Sequence, residues 1–215
     1  MSGQGNKRPN ELIEHAPVTL RRYRAEDADA LFCAVTESLD HLRPWMPWAA
    51  DYSRESAQEY LDGSIKGWDE GTEYNYAILT AIPGGSALAD RALAGRELAG
   101  RELAGRELAG RALAGSIGLM TRCGPGGLEI GYWVHRAYTG RGLATAATAA
   151  LVEQAFGLPG VDWVEIVHDE LNLASGQIPR KLGFTEVERR PLDPPSASGT
   201  GTGVVWRLKR QTQTR

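Results

Sequence analysis

The pattern of apolar and polar positions in the first third of the chain predicts a strand followed by two helices. Residues 18–23 are mostly β-branched, apolar or aromatic, which is typical of a strand. Acidic residues then open a helix over residues 26–42, which should end there because Pro44 disfavours a helical residue before it. A capping box at residues 56–59 starts a second helix, which ends at Gly71.

The remainder of the chain predicts further strands and two more helices. The strands are expected at residues 73–80, 116–123, 128–135, 161–168, 185–189 and 204–209, and the helices at residues 142–157 and between Asn172 and Gly183. This order predicts a mixed α/β (α+β) domain with a largely antiparallel central sheet and helices on both faces. The domain should span residues 18–210, with a flexible N-terminal tail at 1–17 and a short tail at 211–215.

Residues 91–115 interrupt this domain with five tandem pentads of the form Arg-Ala/Glu-Leu-Ala-Gly. A pentapeptide solenoid is excluded, because its inward-facing small residue is replaced by arginine in every repeat. On a helix, a five-residue period distributes the leucines over all faces, and each glycine costs about 1 kcal/mol relative to alanine. We interpret the segment as a low-complexity insert without a functional role, either a fluctuating helix or a disordered loop.

Composition and charge narrow the class of protein. The 215 residues carry a net charge of −3, with 42% hydrophobic and 24% charged residues, which fits one ordinary globular domain and gives no basic field for nucleic acid. No apolar run is long enough for a membrane span, and the N-terminus lacks the core of a signal peptide. Two cysteines and four scattered histidines form no metal-ligand pattern. A metal-free, cytoplasmic protein is expected.

A stretch at residues 129–147 combines a strand, a glycine turn and the start of a helix. The first amides of a helix lack intrahelical partners and lie at the positive end of its dipole, and Gly140 and Gly142 let a phosphate approach closely. The commonest phosphate loops are excluded: no Gly-Lys-Ser/Thr occurs, and Thr145 stands where a dinucleotide fingerprint has its last glycine or alanine. The stretch predicts a site for a phosphate-bearing cofactor.

An aromatic segment at residues 42–48 contains two X-Pro steps and should be extended or turning. It brings Trp45, Met46 and Trp48 close together. They can cover the core, since aromatic side chains contribute much buried area, or form the aromatic wall of a substrate pocket. The two interpretations are compatible.

Four motifs, in this order and spacing, resemble the GNAT superfamily of acyl-CoA-dependent N-acyltransferases. Their sequences are Glu-Ile-Gly-Tyr-Trp-Val from Glu129, Tyr-Thr-Gly-Arg-Gly-Leu-Ala-Thr from Tyr138, Asn-Leu-Ala-Ser from Asn172 and Arg-Lys-Leu-Gly-Phe from Arg180. Together with residues 18–21 and the Leu-Arg-Pro-Trp segment, they are similar to the RimJ/RimL branch of ribosomal-protein N-terminal acetyltransferases. Pro179 departs from this pattern, and we expect the last helix to start late or to be kinked.

The resemblance implies transfer of acetyl from acetyl-CoA to a primary amine by direct attack in a ternary complex. The acceptor would be a protein N-terminal α-amine or a small-molecule amine, and a homodimer is compatible with the resemblance. Amides of the glycine turn would bind the pyrophosphate of coenzyme A, and the main chain of the preceding strand and an asparagine would bind the pantetheine. The implied cofactor-binding residues are Trp133, Val134, His135, Gly140, Arg141, Gly142, Leu143, Ala144 and Asn172.

The resemblance also suggests catalytic residues. Glu129 on the central strand is the candidate base, or else it pairs with a cation on the sheet surface. Ser175 is the candidate acid for the thiolate or a cofactor ligand, and like Asn172 it can instead be a helix cap. Two alternatives stay open. The first is transfer of succinyl or another acyl group, which would need a cation in the predicted pocket. Arg43, beside Trp45 and Trp48, is the candidate for it. The second is a non-catalytic acyl-CoA-binding module.

Overall fold

The computed structural model describes residues 8–81 and 111–211. Its elements, in chain order, are β1 (Leu12–His15), β2 (Val18–Arg22), α1 (Ala28–Thr36), α2 (Leu39–Leu42), α3 (Arg54–Glu70), β3 (Glu73–Ala81), β4 (Arg111–Met120), β5 (Gly127–Val134), α4 (Leu143–Gly157), β6 (Trp163–Asp169), α5 (Leu173–Lys181), β7 (Thr185–Pro191) and β8 (Thr202–Lys209). Short 3-10 turns at Ala25–Asp27, Pro47–Ala49 and Arg136–Tyr138 connect some of them.

The strands form one sheet in the order β1-β2-β3-β4-β5-β6-β8-β7. Neighbouring strands are antiparallel except β5 and β6, which are parallel. Successive residues of a strand point to opposite faces, so Tyr76 and Ile78 of β3 lie in the core beneath α4, whereas Ala77 and Leu79 lie in the core beneath α1 and α3. The predicted mixed sheet with helices on both faces is confirmed.

The first strand lies within the segment that was expected to be a flexible tail. Leu12–His15 pairs antiparallel with Val18–Arg22, and Ile13 is buried opposite Leu20. The hydroxyl of Tyr76 also donates to the carbonyl oxygen of Asn10 at 2.9 Å. The expectation of a flexible tail is therefore wrong for these residues, because a four-residue strand depends on tertiary pairing and has little local signal.

The helices differ in their bounds from the prediction. The helix expected over residues 26–42 is divided into Ala28–Thr36 and Leu39–Leu42. The N-cap of α3 is Ser53, three residues before the start of the predicted capping box, and Ser53 Oγ accepts the amide of Ser56. Helix α5 starts directly after Asn172 and contains Pro179, so the expected late start is wrong.

The repeat segment is described only at its last pentad. Residues 91–110 lie outside the described residues, but residues 111–115 form the first half of β4. They pair with β3, where Leu113 lies opposite Leu79, and Gly115 lies opposite Val134 of β5. A Cβ at Gly115 would collide with the carbonyl oxygen of Trp133, so the sheet requires a glycine there. The insert was expected to extend to residue 115, but residues 111–115 belong to the sheet.

Membrane-spanning helices and metal sites were sought among the described residues. Along residues 8–81 and 111–211, every helix is too short or too polar to cross a lipid bilayer. In the same ranges no three His, Cys, Asp or Glu side chains are grouped so that they could hold a metal ion.

Candidate functional site

A gap opens between β5 and β6. Their parallel register pairs Gly127–Glu129 with Trp163–Glu165 and goes no further. Strand β5 continues beside β4 as far as Val134, while β6 continues beside β8 as far as Asp169. The two strands therefore diverge toward their carboxyl ends, and a cleft of about 530 Å³ is lined by residues from both faces of the sheet at this point.

Alternate main-chain groups of β5 face this gap. The amide of His135 donates to the carbonyl oxygen of Ala114 on β4 at 2.8 Å, which fixes the phase of the strand. Main-chain N–H and C=O groups alternate between the two edges of a strand. The main chain of Trp133 therefore also faces β4, whereas the main chains of Tyr132 and Val134 face β6. This edge can pair with an extended ligand as it would with a peptide. Of the three residues expected to do so, Val134 is in phase, and Trp133 and His135 are not.

The side chain of His135 is buried and does not line the cleft. Its Nδ1 accepts the amide N–H of Ala137 at 3.1 Å, so we assign the ring hydrogen to Nε2, which donates to Glu37 Oε2 at 3.2 Å. The ring thus connects the turn after β5 to the end of α1. The side chain of His135 thus has a structural contact, while the cofactor contact predicted for its main chain would have to form on the side that faces β4.

The glycine turn lies at the open end of β5 and leads directly into α4. Gly140 and Gly142 have φ values of 72° and 76°, a left-handed conformation that favours glycine. The amide of Ala146 donates to the carbonyl oxygen of Gly142, so the amides of Leu143 and Ala144 precede the first intrahelical bond. These amides are suited to bind an anion at the mouth of the gap.

The predicted cation of this turn is at the surface. Arg141 is exposed, and its guanidinium lies 5.2 Å from the centre of the Tyr138 ring. The stacking holds the positive charge beside the turn, where it can contact a phosphate group.

Helix α5 borders the cleft on the side of β6. Asn172 caps it, because Asn172 Oδ1 accepts the amide of Ser175 at 3.1 Å. Both residues line the cleft. Capping uses the Asn172 oxygen and the Ser175 main chain, and it leaves the Asn172 amide nitrogen and the Ser175 hydroxyl for other partners.

The hydroxyl of Tyr132 crosses the cleft to Ser175. It lies 3.2 Å from both the carbonyl oxygen and Oγ of Ser175. Pro179 lacks an amide hydrogen, so the Ser175 carbonyl has no partner one turn along α5 and is free to accept from Tyr132. Burial raises the pKa of Tyr132 to about 12, although the contact with Ser175 lowers it in part, so this hydroxyl stays protonated near neutral pH.

His168 also lines the cleft, but both of its ring nitrogens have partners. Its Nδ1 donates to the carbonyl oxygen of Asp169 at 2.7 Å, and Nε2 accepts from Trp206 Nε1 at 2.9 Å. Burial lowers the pKa of His168, which favours this neutral form. His168 therefore acts as a packing residue and offers no free nitrogen to a substrate.

An aromatic chamber forms the part of the cleft between the sheet and the α1–α3 layer. Trp45 and Trp48 line it together with Trp133, and the Trp48 and Trp133 rings are 6.4 Å apart. Arg43 does not line it, because this exposed side chain donates from Nε to the carbonyl oxygen of Ala49 at 3.2 Å. The expectation of Arg43 in the pocket is wrong. Among residues 8–81 and 111–211, the arginine that lines the cleft is Arg122.

Glu129 lies on the floor of this chamber. Its Oε1 accepts from Arg122 Nη2 at 2.7 Å and from Arg122 Nε at 3.1 Å. The Glu129 side chain is 13% exposed and that of Arg122 is 60% exposed. The ion pair predicted as an alternative is thus present. Glu129 also lines the cleft, so its role as a base stays a prediction.

Two residues of the site had no predicted role. Tyr132 is the first, although Pro179 in a helix signals an unpaired carbonyl one turn earlier. Asp169, which ends β6, had no assigned role. Its carboxylate holds the loop between β7 and β8, which lines the cleft through Leu192, Pro194 and Ser196. A single acidic residue after a strand gives no sequence signal for this contact.

Comparison with known families finds one match that spans most of the chain. The model of the acetyltransferase (GNAT) domain family matches residues 18–185, from the first residue of β2 to the first residue of β7. Among curated proteins, the chain is similar to the "putative ribosomal N-acetyltransferase YdaF" of Bacillus subtilis (strain 168). The two are 27% identical over 176 residues, which cover 82% of this chain and 81% of that protein.

Solved structures share this fold. RimL, a ribosomal L7/L12 alpha-N-protein acetyltransferase in complex with coenzyme A, has a TM-score of 0.72 and 17% identity, covering 93% of this chain and 98% of that chain. The microcin C7 self-immunity acetyltransferase MccE, in complex with acetyl-CoA and AMP, has a TM-score of 0.71 and 13% identity, covering 91% and 93%. At these low sequence identities, the similarity shows that the fold is shared and nothing more.

Proposed function

This chain belongs to the GNAT acetyltransferase family, in its RimJ/RimL-like branch, and from that premise we propose that it transfers acetyl from acetyl-CoA to a primary amine by direct attack in a ternary complex. The observation that carries the proposal is a single cleft with two kinds of wall. An open strand edge and α5 border one side of it, and an aromatic chamber borders the other. Two substrates can therefore meet there without a covalent enzyme intermediate.

The residues around the gap fit coenzyme A. The amides of Leu143 and Ala144, with Gly140 and Gly142 allowing close approach, would hold the pyrophosphate, and Arg141 would add a charge-assisted contact. The gap-facing main chain of Val134 and the free amide nitrogen of Asn172 would hold the pantetheine arm. Bound acetyl-CoA supplies the acetyl thioester, and a gap-facing amide of β5 would polarise its carbonyl.

The acceptor amine must be neutral when it attacks. An α-amine with a pKa near 8 is about one-tenth neutral at pH 7, whereas a lysine amine with a pKa near 10.4 is about 0.04% neutral. An α-amine therefore needs little help from a base. Glu129 is the candidate base, directly or through a water molecule, and Ser175 is the candidate acid for the leaving thiolate.

The chamber and two of the relatives support the proposed acceptor class. The chamber can hold a peptide N-terminus or a small-molecule amine against its aromatic wall, and YdaF and RimL are named for ribosomal substrates. Succinyl transfer has less support than acetyl transfer, because Arg43 lies outside the cleft and Arg122 is already paired with Glu129. We therefore propose an acetyl donor.

A thiol-release assay tests the proposal. The purified protein is incubated with acetyl-CoA or succinyl-CoA and a panel of small amines and peptide N-termini, and free coenzyme A and acylated products are measured by absorbance and mass spectrometry. We expect amine-dependent release with acetyl-CoA and much less with succinyl-CoA. Binding of acetyl-CoA without release for any acceptor would favour a non-catalytic acyl-CoA-binding module instead.

Replacing Glu129 by glutamine should lower kcat about tenfold for an acceptor with a lysine-like amine, and less for an α-amine. The reason is that a base matters most for the amine that is mostly protonated at neutral pH. The measurement is kcat against pH for both acceptors. Arg122→Met is the matched control, because it removes the ion pair but keeps the carboxylate. If both variants change both acceptors equally, Glu129 acts only as the partner of Arg122.

A further inference from the structure

A second polar cluster lies in the aromatic chamber and takes no part in the mechanism above. It consists of Glu73 and Asn75 on β3, Tyr60 on α3 and Ser116 on β4, and all four residues line the cleft. Glu73, Asn75 and Tyr60 also line a second, smaller cavity of about 300 Å³ beside α3. The cluster therefore stands where the chamber meets a groove at the surface.

The carboxamide of Asn75 has used its donors but not its acceptor. Asn75 is 6% exposed, and its Nδ2 donates to Ser64 Oγ and to Glu73 Oε2, both at 3.1 Å. Its Oδ1 lies over Gly118 of β4, where any Cβ would collide with it. No donor within the described residues reaches this oxygen. Asn75 thus presents to the chamber an acceptor oxygen that no donor of the described residues occupies.

The hydroxyls of the cluster follow the same pattern. Ser116 Oγ donates to the carbonyl oxygen of Tyr76 at 3.3 Å, which uses its one hydrogen. The hydroxyl of Tyr60, 3.0 Å from Ser116 Oγ, must then be the donor in that contact. The oxygen of Tyr60, which also contacts Ser64, keeps a lone pair for a ligand. Beside it, the buried hydroxyl of Tyr52 has no partner in the described structure.

The charge of the cluster is also unbalanced. Within residues 8–81 and 111–211, no lysine, arginine or histidine forms an ion pair with Glu73. Arg122, which lines the chamber, is held by Glu129, and Lys66, which lines the smaller cavity, is held by Glu70. The cluster therefore offers acceptor oxygens and one negative charge, and the chemistry that complements it is a hydrogen-bond donor with a positive charge.

We propose that Glu73, Asn75 and Tyr60 form a subsite for a second cationic group of the acceptor, an ammonium or guanidinium carried by the same molecule as the amine that is acetylated. This inference rests on the proposed acetyl transfer. Asn75, Gly118 and Gly131 are successive neighbours across β3, β4 and β5, so the subsite lies within about 10 Å of β5 at about 4.8 Å per strand. The substrate class is a diamine or a peptide whose second residue is basic.

Paired acceptors test the subsite. The diamine 1,6-diaminohexane is compared with 1-aminohexane, and a peptide with lysine at its second position is compared with the same peptide containing norleucine. We expect about a tenfold lower KM for the dicationic member of at least one pair, and the pair that responds identifies a small-molecule or a peptide acceptor. Equal KM values within both pairs would overturn the proposal.

The variant Glu73→Gln keeps the acceptor for Asn75 but removes the charge. It should raise KM about tenfold for the responding dicationic acceptor and leave its monocationic partner within about twofold. The matched control is Glu153→Gln, which removes an exposed carboxylate on α4 and should change neither. An equal effect of Glu73→Gln on both members of a pair would overturn the proposal.

Binding separates this proposal from the proposed function. Calorimetry measures binding of 1,6-diaminohexane and of the lysine peptide to the protein saturated with coenzyme A. If no acceptor is acetylated, the proposed function fails, but weaker binding to Glu73→Gln than to Glu153→Gln would still support the subsite. If neither dication binds to the unmodified protein, the subsite proposal is overturned, whatever the activity.

Discussion

Replacing Asp169 by alanine is expected to lower the free energy of unfolding by about 3 kcal/mol and the melting temperature by about 8 °C. Asp169 is buried at the end of β6, and its carboxylate accepts four hydrogen bonds. The donors are the amide of Leu171 at 3.0 Å, Ser196 Oγ at 3.1 Å, the amide of Thr200 at 3.3 Å and the amide of Gly201 at 3.1 Å. Alanine would leave these donors without their acceptor.

The effect should depend on pH. Burial alone would raise the pKa of Asp169, but the hydrogen bonds outweigh it and hold the pKa below its usual value. A carboxyl group with a lowered folded pKa contributes stability that is fully present above the unfolded pKa, near 4, and is lost as the pH falls through the folded value. The difference between the two proteins should therefore be largest at pH 7 and shrink below about pH 4. Thermal melts at both pH values measure it.

The same substitution should affect the cleft. Asp169 holds the loop that lines the cleft through Leu192 and Pro194, and the amide of Ser198 in that loop donates to the carbonyl oxygen of Pro44 at 3.0 Å. Loss of the loop geometry should raise KM for the acceptor. Asp51→Ala, at an exposed aspartate, is the control. A similar loss of stability in both variants would contradict the assigned role of Asp169.

Local signals in the sequence were sufficient for most of the fold. The stretch from β5 to α4 was predicted because its strand, its glycine turn and its alanine-rich helix each follow from neighbouring residues. The predictions were wrong where pairing partners decide the conformation. Residues 12–15 are a strand because β2 lies beside them, and residues 111–115 are a strand because they pair with β3 and β5, although their composition is helix-forming.

The site was less predictable than the fold. Trp45 and Trp48 line the cleft, and their aromatic segment had indicated a pocket. Asn172 and Ser175 also line it, and for them the signal was the resemblance to the GNAT superfamily. The phase of β5 relative to the gap is set by its register with β4, which no local pattern reveals. Residues from distant strands and helices meet in the chamber as well, so the cluster around Asn75 depends on the tertiary fold.

Replacing Ser175 by alanine is expected to lower kcat about a hundredfold, with little change in KM for acetyl-CoA. A general acid contributes about 10²–10⁴ to a rate, and the lower end applies here because a thiolate with a pKa near 8.5 is a moderately good leaving group. The cap of α5 uses the Ser175 amide and the Asn172 side chain, so alanine should preserve it. The melting temperature should therefore change by less than about 2 °C. Steady-state kinetics and thermal melts measure the two effects.

Two further variants, Ser175→Thr and Pro179→Ala, supply the controls. Ser175→Thr keeps a hydroxyl and should recover much of the lost kcat, which a purely packing role would not predict. Pro179→Ala would restore an amide to the Ser175 carbonyl and compete with Tyr132 there, while the 3.2 Å contact between the two hydroxyls can remain. We expect its kcat within about threefold of the unmodified protein, because the acid in this mechanism is Oγ and not the carbonyl. If Ser175→Ala retains nearly full kcat, Ser175 caps a helix only, and the proton for the thiolate comes from another donor, for which the protonated hydroxyl of Tyr132 is the nearest candidate.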